Sequence, residues 1–346
     1  MTISKKTRDS NIELLRIVAM LLVLIVHTNF LTNGFPTNAE ALAEPVKTFS
    51  RYFVQSVAIV CVNLFIMISG WFGIKPNLSR FLEFMFQILF FAVVLYIIFH
   101  FISPQKWSLT GGFKAALNMS AGSWFVTSYV FLYLLSSVLN AYTERANSRQ
   151  FLWLLICFFL LQSLLGWAYK FVLWFDRGYS AMSFVGLYLL AQYVRRHSDA
   201  LKRLSLWQDL AIWLLIVLVN TALAFICLKA TGNDDVRFYF YNSPIVIAAT
   251  LFLFLAFTKI KLKSAIVNWM AVSAFAAFLL HMSTPFMEDV FAPVCRSAYA
   301  AYPYPMYLLT ALVFVVAIFT VAILLDKIRI AVWQLILRGA ERVRKK

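Results

Sequence analysis

The sequence predicts an all-α polytopic membrane protein with about ten transmembrane helices and both termini in the cytoplasm. Three observations support this fold class. The 346 residues are 62% hydrophobic and only 13% charged, with a mean hydropathy of +0.79, whereas roughly 25% of the residues of a soluble domain are charged. The apolar residues form continuous runs without the alternation of a membrane barrel. Lysine and arginine are also distributed unevenly between the segments that separate the runs.

Ten apolar runs have about the 20 residues that a helix needs to cross a bilayer. They cover residues 12–31, 53–72, 81–102, 123–141, 151–168, 180–195, 210–228, 242–258, 266–283 and 305–325. The first run lacks a small-residue cleavage site, so we expect a retained helix rather than a signal peptide. No repeat or soluble second domain is visible, and we expect one membrane domain over residues 1–346.

Lysine and arginine set the predicted orientation in the membrane. Segments on the side of the amino terminus carry 21 of the 31 basic residues, the opposite loops carry 9, and Arg16 lies inside the first span. Every segment follows this alternation, so we expect both ends on the cytoplasmic side of the cell (inner) membrane. The basic and amphipathic residues 326–346 are expected to lie along the cytoplasmic surface.

The formal net charge of +16 reflects the same basic segments that set the predicted orientation. The basic residues cluster between apolar runs and form no basic face with interleaved aromatic residues, so nucleic-acid binding is not predicted. The four cysteines show no CxxC spacing, and no cluster of cysteine, histidine and carboxylate residues indicates a disulfide framework or a metal site.

Charged and titratable residues interrupt the first span, "NIELLRIVAMLLVLIVHTNF" at residues 11–30. Such groups are costly at membrane depth and therefore indicate a function by default. Arg16 and His27 are eleven residues apart, so on an α-helix their side chains differ by about 20° around the axis and lie about 16.5 Å apart along it. The topology places Arg16 near the inner boundary and His27 near the outer one. Ser10 and Glu13 have the spacing of a capping box.

This shared face suits a long anionic donor whose phosphates stay at the cytosol while its reactive end reaches outward. Acyl coenzyme A (acyl-CoA) fits, because the separation is roughly the reach of an extended pantetheine arm. Arginine binds phosphate through fixed, permanently charged donors, and a neutral histidine can take the proton of an acceptor hydroxyl. The plainer alternatives are an arginine that extends to the headgroups and a histidine bonded within the helix bundle.

At these residues the chain resembles the acyltransferase 3 family, bacterial membrane proteins that move acyl groups, usually acetyl, from coenzyme A to cell-surface sugars and other acceptors. Glu13, Arg16 and His27 match the family's acidic residue, arginine and, eleven residues beyond the arginine, histidine. The stretch "VNLFIMISGWFG" at residues 62–73 resembles a Ser-Gly-aromatic pattern of the second span, with Asn63 where the family often has an acid. The stretches "SWFVTSY" at 123–129 and "FLLHMSTPF" at 278–286 resemble later family segments.

The resemblance implies an acyl-CoA-dependent O-acyltransferase that takes acyl-CoA, and acetyl-CoA in particular, as its donor substrate without a metal. The expected acceptor is a hydroxyl of a cell-surface or lipid-linked glycan. The candidate catalytic residues are His27, Glu13, Trp124 and Asn242. The candidate donor-binding residues are Arg16, Ser69, Trp71, Lys75 and Arg80. The candidate acceptor-binding residues are Asn63, Tyr129, Tyr241, His281 and Asp176. Direct transfer and an acyl-histidine intermediate on His27 both remain open.

Several features have competing explanations. Arg80 can pair with Glu83 at a helix start, and the aromatic loop "WAYKFVLWFDRGY" at 167–179 can be a belt at the headgroups or a platform for sugar rings. The alternative function is a secondary transporter or flippase that uses Arg16 and His27 in an ion or proton path. A structural or sensory subunit is a third class. The sequence carries no signal for the oligomeric state.

Overall fold

The computed structural model describes residues 9–117, 123–169, 172–197 and 199–344. These residues form helices and no strand, which confirms the all-α fold class. Eight helices are long and apolar enough to cross a membrane, and a bent pair adds a ninth. Some cations that entered the charge count lie outside the described residues, namely Lys5, Lys6, Arg8, Lys170, Lys345 and Lys346.

The helices follow one another with short connections. The α-helices are α1 (Ser10–Val26), α2 (Asn38–Ala43), α3 (Pro45–Ala58), α4 (Cys61–Phe72), α5 (Leu78–Ile102), α6 (Leu109–Leu117), α7 (Ser123–Arg145), α8 (Ser148–Leu161), α9 (Val172–Phe175), α10 (Ala181–His197), α11 (Asp199–Lys202), α12 (Leu206–Thr231), α13 (Pro244–Thr258), α14 (Ala265–Ala271), α15 (Ala274–His281), α16 (Thr284–Phe286), α17 (Ala292–Ala301) and α18 (Tyr304–Arg344). Three π-helical segments are His27–Leu31, Gln162–Ala168 and Met287–Phe291.

The expected number of about ten spans exceeds the eight or nine helices that qualify. The predicted span 180–195 is α10, which has only 17 residues and lies at the short end of the length that crosses a bilayer. The predicted span 266–283 belongs to a pair of helical segments, Ala265–His281 and Thr284–Ala301, that meet at an angle of 69°. The break falls directly after His281.

Polar contacts bring together the helix ends that the charge count assigns to one side. Arg196 on α10 donates to the Thr143 carbonyl at 2.7 Å, and Lys259 forms an ion pair with Asp209. At the start of α1, Ser10 Oγ accepts the backbone N–H of Ser264 at 3.1 Å. The predicted capping box at Ser10 is therefore wrong, because Asp9 precedes the helix as its N-cap and the Ser10 hydroxyl bonds to another helix.

The carboxyl-terminal helix α18 continues without interruption for 41 residues, or about 60 Å at 1.5 Å per residue. The predicted surface tail beginning at residue 326 is wrong at its first residues, because Asp326 is fully buried and Arg329 is 3% exposed. Arg329 bonds Asp326 at 2.9 Å and pairs with Glu83 of α5 at 3.2 Å. Gln87 of α5 also donates to Asp326 at 2.9 Å. Glu83 thus pairs with α18 rather than with Arg80, the partner that the alternative explanation of Arg80 gave it.

The Ser-Gly-aromatic stretch of α4 packs directly on the backbone of α10. A Cβ atom at Gly70 would lie 2.5 Å from the Tyr188 carbonyl oxygen and 2.9 Å from Cβ of Ala191. Both distances are shorter than a side chain tolerates, so only glycine lets the two helices approach this closely. The motif therefore has a packing role that is independent of any ligand.

Replacing Gly70 with Ala is expected to lower stability by about 1–3 kcal/mol, the usual cost of overpacking a close contact. Thermal unfolding of the purified protein in detergent measures the change. Gly339→Ala is the matched control, because a Cβ at that helical position would meet nothing within 4 Å beyond the backbone of its own helix, and alanine favours a helix by roughly 0.5–1 kcal/mol over glycine. Equal midpoints for Gly70→Ala and the wild type would contradict the packing role.

Candidate functional site

The first helix presents Arg16 and His27 on one face. The segment from Ser10 to Val26 is continuously α-helical, so the predicted spacing holds as far as His27. Met20 and Val23 lie between them at the positions that complete the same face. The face therefore runs from Arg16 near the start of α1 to His27 directly after its last residue.

His27 lies where α1 changes from an α-helix to the π-helical segment His27–Leu31. Side chains donate hydrogen bonds to the carbonyls of His27 and Thr28 at this change. Thr32 Oγ1 donates to both carbonyls at 2.9 Å, and the Tyr307 hydroxyl donates to the Thr28 carbonyl at 2.5 Å. Such segments occur often at functional sites, and here one turns the chain immediately beyond the histidine.

His27 and His281 form a direct hydrogen-bonded pair. Nδ1 of His27 lies 2.7 Å from Nε2 of His281, and Nδ1 of His281 lies 2.6 Å from the Ala277 carbonyl oxygen. His281 is fully buried, with the rings of Phe278 and Phe291 beside it. Both its ring nitrogens are therefore occupied within the protein. His27 remains partly exposed, and its Nε2 bonds to none of the described residues.

A basic pocket of about 350 Å³ opens at the other end of this face, and we call it the inner pocket. Its lining residues are Arg16, Ile68, Ser69, Phe72, Gly73, Ile74, Lys75, Arg80, Phe81, Phe84, Tyr129, Val130 and Tyr133. Four of the five predicted donor-binding residues are among them. The hydroxyls of Ser69 and Tyr129 lie 3.4 Å apart, so the structure places Tyr129 in this pocket.

Arg16 is held in place by the neighbouring acid. Its Nη1 donates to Glu13 Oε2 at 2.6 Å, and the Glu13 side chain is 7% exposed whereas that of Arg16 is 28% exposed. The carboxylate is thus buried beneath the guanidinium, which reaches the pocket. The ion pair fixes one side of the guanidinium and leaves part of it exposed in the pocket.

Two smaller cavities continue from the inner pocket towards the histidine pair. The first, of about 220 Å³, shares Arg16, Ser69 and Tyr129 with the inner pocket. The second, of about 10 Å³, is lined by Met20 and Val23 of α1 together with Val62 and four phenylalanines. The phenylalanines are Phe65, Phe125, Phe275 and Phe278, and we call them the aromatic constriction. A void of this size holds about one water molecule.

The outer candidate residues cluster around the segment that precedes α13. Asn63 Nδ2 donates to the Tyr241 carbonyl at 2.9 Å, and the rings of Trp124 and Tyr241 are stacked at 6.0 Å. Tyr179 packs on Trp124, with ring centroids 4.5 Å apart. Asn242 is fully buried, and both atoms of its side-chain amide lack a hydrogen-bond partner among the described residues.

Two predicted site residues lie outside the inner pocket. Trp71 is on another side of α4, where its ring packs on Phe254 and the Arg195 guanidinium covers it at 5.7 Å. Asp176 belongs to a short turn with positive φ values at Asp176 and Arg177, next to Tyr179. The structure assigns Trp71 a packing contact rather than a place in the inner pocket.

Sequence reasoning missed the contact between the two histidines and the aromatic constriction. On α15, Phe278 lies three residues from both Phe275 and His281 and therefore neighbours each of them, but this spacing carries no signal for the contact with His27. Tyr179 was also missed, although it belongs to the aromatic loop. Among the described residues, no group of three histidine, cysteine, aspartate or glutamate side chains could hold a metal ion.

These features define a membrane protein with a basic pocket at one end of a helix and a hydrogen-bonded histidine pair at the other. A family model described as an acyltransferase domain matches residues 9–327. The chain therefore belongs to the acyltransferase 3 family, as its resemblance suggested, and is a membrane acyltransferase. Comparison with curated proteins and with solved structures found no match.

Proposed function

We propose that this acyltransferase moves an acyl group, acetyl in the simplest case, from cytosolic acyl-CoA to a hydroxyl of a cell-surface or lipid-linked glycan. One observation carries the proposal: a single face of α1 begins in a basic pocket and ends in a histidine whose Nε2 is open. In the orientation that the basic residues favour, the inner pocket faces the cytosol of the cell and the histidine pair lies towards the outer surface.

The charges of the inner pocket suit the phosphates of acyl-CoA. Arg16, Lys75 and Arg80 supply three cations to its lining. Arginine can bind phosphate through two parallel hydrogen bonds, and lysine adds a compact charge. The hydroxyls of Ser69 and Tyr129 offer further donors. A volume of about 350 Å³ lies in the range of small-molecule sites, and the adjoining cavity extends it inward.

The pantetheine arm would follow the face of α1 from Arg16 past Met20 and Val23. The two functional side chains are about 16.5 Å apart along the helix axis, so the thioester would arrive beside His27. The aromatic constriction lies on this route and is too narrow in this structure for the arm. Binding of the donor therefore requires its phenylalanine side chains to move apart.

In the proposed reaction, Nε2 of His27 takes the proton of the acceptor hydroxyl as that oxygen attacks the thioester carbonyl carbon. A carbon–oxygen bond forms, the carbon–sulfur bond breaks, and the protonated histidine returns its proton to the departing coenzyme A thiolate. The unpartnered amide of Asn242 is a candidate donor to the developing oxyanion, and Trp124 is a second. Trp124, Tyr179 and Tyr241 form the aromatic surface that we assign to the acceptor.

Replacing His27 with Ala is expected to abolish acyl transfer, because no other described group on this face can take the hydroxyl proton. The measurement uses purified protein, radiolabelled acetyl-CoA and a crude extract of envelope glycans, and it counts label bound covalently to glycan. His100→Ala is the matched control, since His100 bonds the Trp107 carbonyl at 2.6 Å away from the pair. Thermal unfolding verifies that both variants fold.

Two outcomes would contradict the proposed function. Full transfer by His27→Ala would remove the catalytic assignment. Movement of label or protons across proteoliposomes, without covalent product from the wild type, would instead favour a transporter that uses the same residues.

Replacing Arg16 with Ala is expected to raise KM for acetyl-CoA by about 10- to 100-fold, the effect of losing a hydrogen bond to a charged group. Arg16→Lys should recover part of this loss, because it retains the charge but not the planar donors. Arg149→Ala is the control, since it removes an exposed cation at the start of α8, outside the pocket lining. An unchanged KM in Arg16→Ala would contradict the phosphate role.

Phe275→Trp is expected to raise KM for acetyl-CoA several-fold, because Phe275 lines both cavities that lead from the inner pocket and a larger ring obstructs the route. Overpacking of this kind typically costs about 1–3 kcal/mol. Steady-state kinetics of the purified variant measure the effect. Leu214→Trp on an exposed face of α12 controls for the added ring, and equal KM values in the two variants would place the donor elsewhere.

A further inference from the structure

His281 bonds to His27 and has no ring nitrogen left for a substrate. The sequence placed it among acceptor-binding residues. The structure instead gives it a hydrogen bond at each nitrogen, to Nδ1 of His27 at 2.7 Å and to the Ala277 carbonyl oxygen at 2.6 Å. These two bonds determine where the protons of both rings lie.

The carbonyl contact sets the protonation of His281. A carbonyl oxygen only accepts hydrogen bonds, so Nδ1 of His281 must carry the proton and donate it. The ring is fully buried between Phe278 and Phe291, where a positive charge would be costly. A neutral imidazole protonated at Nδ1 has a lone pair at Nε2. His281 therefore presents an acceptor to His27.

That acceptor in turn sets the tautomer of His27. Nδ1 of His27 donates its proton to Nε2 of His281, and the lone pair of His27 is then at its own Nε2. This is the nitrogen that bonds to none of the described residues. In a free imidazole the proton prefers Nε2. If the proton of His27 were on Nε2, that open nitrogen would be a hydrogen-bond donor and could not act as a base.

We propose that His281 is the positioning residue of the active site and that it holds His27 in the tautomer whose Nε2 accepts the proton of the acceptor hydroxyl. The proposal rests on the proposed function. During transfer the proton moves from the hydroxyl to Nε2 of His27 and then to the coenzyme A thiolate. His281 keeps its proton on Nδ1 throughout, because the Ala277 carbonyl cannot take it.

The same bond also fixes the orientation of the ring. His27 follows the last α-helical residue of α1, and His281 ends α15 directly before the 69° bend. Both side chains thus lie where a regular helix is interrupted, and the contact connects residues 254 positions apart in the chain. A side chain at position 281 that accepts a hydrogen bond from Nδ1 of His27 keeps the plane of the His27 ring aligned. A side chain that cannot accept this bond leaves the ring free to turn.

The test compares His281→Leu and His281→Gln in the assay with radiolabelled acetyl-CoA and glycan extract. Leucine fills the space without accepting a hydrogen bond from His27, so kcat is expected to fall by about 10²- to 10⁴-fold, the range that a general base contributes. The amide oxygen of glutamine can reach the position of Nε2 and should recover at least about tenfold of that loss. KM for acetyl-CoA should change by less than about threefold in both variants.

Nitrogen-15 NMR of histidine-labelled protein gives a readout that a merely structural role would not change. In the wild type and His281→Gln, the His27 signals should show a protonated Nδ1 and an unprotonated Nε2, and in His281→Leu the pattern should reverse. The His27→Ala spectrum assigns the signals, and His100→Leu serves as the control for loss of a histidine on a span.

The outcomes separate this proposal from the proposed function. Activity in His27→Ala defeats the proposed function and the positioning role with it. Loss of activity in His27→Ala, together with wild-type kcat in His281→Leu, defeats only the positioning role. A rise in KM at constant kcat in His281→Leu would instead make His281 a binding residue. If His281→Leu fails to fold, an unprotonated Nδ1 on His27 in the wild-type spectrum overturns the proposal.

Discussion

The hydrogen bond between His27 and His281 is the interaction on which the site depends. It joins the first helix to a late one at a depth where an unpaired polar side chain is costly. Three of the four ring nitrogens of His27 and His281 form hydrogen bonds within the protein, which offsets this cost. The fourth, Nε2 of His27, is left open. Of the four ring nitrogens, only Nε2 of His27 is thus left for a substrate, and the rings of Phe278 and Phe291 pack beside His281.

The same principle organises the inner end of the bundle. Asp326 is fully buried and receives hydrogen bonds from both Arg329 and Gln87. Buried ion pairs add little net stability, because desolvation offsets their attraction, but they strongly disfavour arrangements in which a partner is missing. These contacts therefore specify how α18 sits against α5. Arg16 likewise forms an ion pair with the buried Glu13 carboxylate, but part of its guanidinium remains exposed in the inner pocket.

Much of the architecture was predictable, because apolar runs of about 20 residues indicate helices that can cross a bilayer. Helical periodicity also places Arg16 and His27 on one face. The predictions that were wrong concern residues whose surroundings depend on contacts between distant parts of the chain. The hydroxyl of Ser10 bonds to Ser264 rather than capping its own helix, and residue spacing within one helix contains no information on such a partner. The pairing of His27 with His281 and the length of α18 were missed for the same reason. Trp71 was misplaced because Ser69 and Phe72, close to it in sequence, line the inner pocket, whereas its own ring packs on Phe254 of α13.

The aromatic constriction has a consequence for the membrane itself. A continuous file of water from one face of a bilayer to the other would conduct protons and dissipate the gradient that the cell maintains across that membrane. Four phenylalanine rings around a void of about 10 Å³ interrupt any such file between the inner pocket and the histidines. With the proposed function, the enzyme would draw its donor from one side of the membrane and modify a molecule on the other, and this packing would keep the two sides electrically insulated between turnovers.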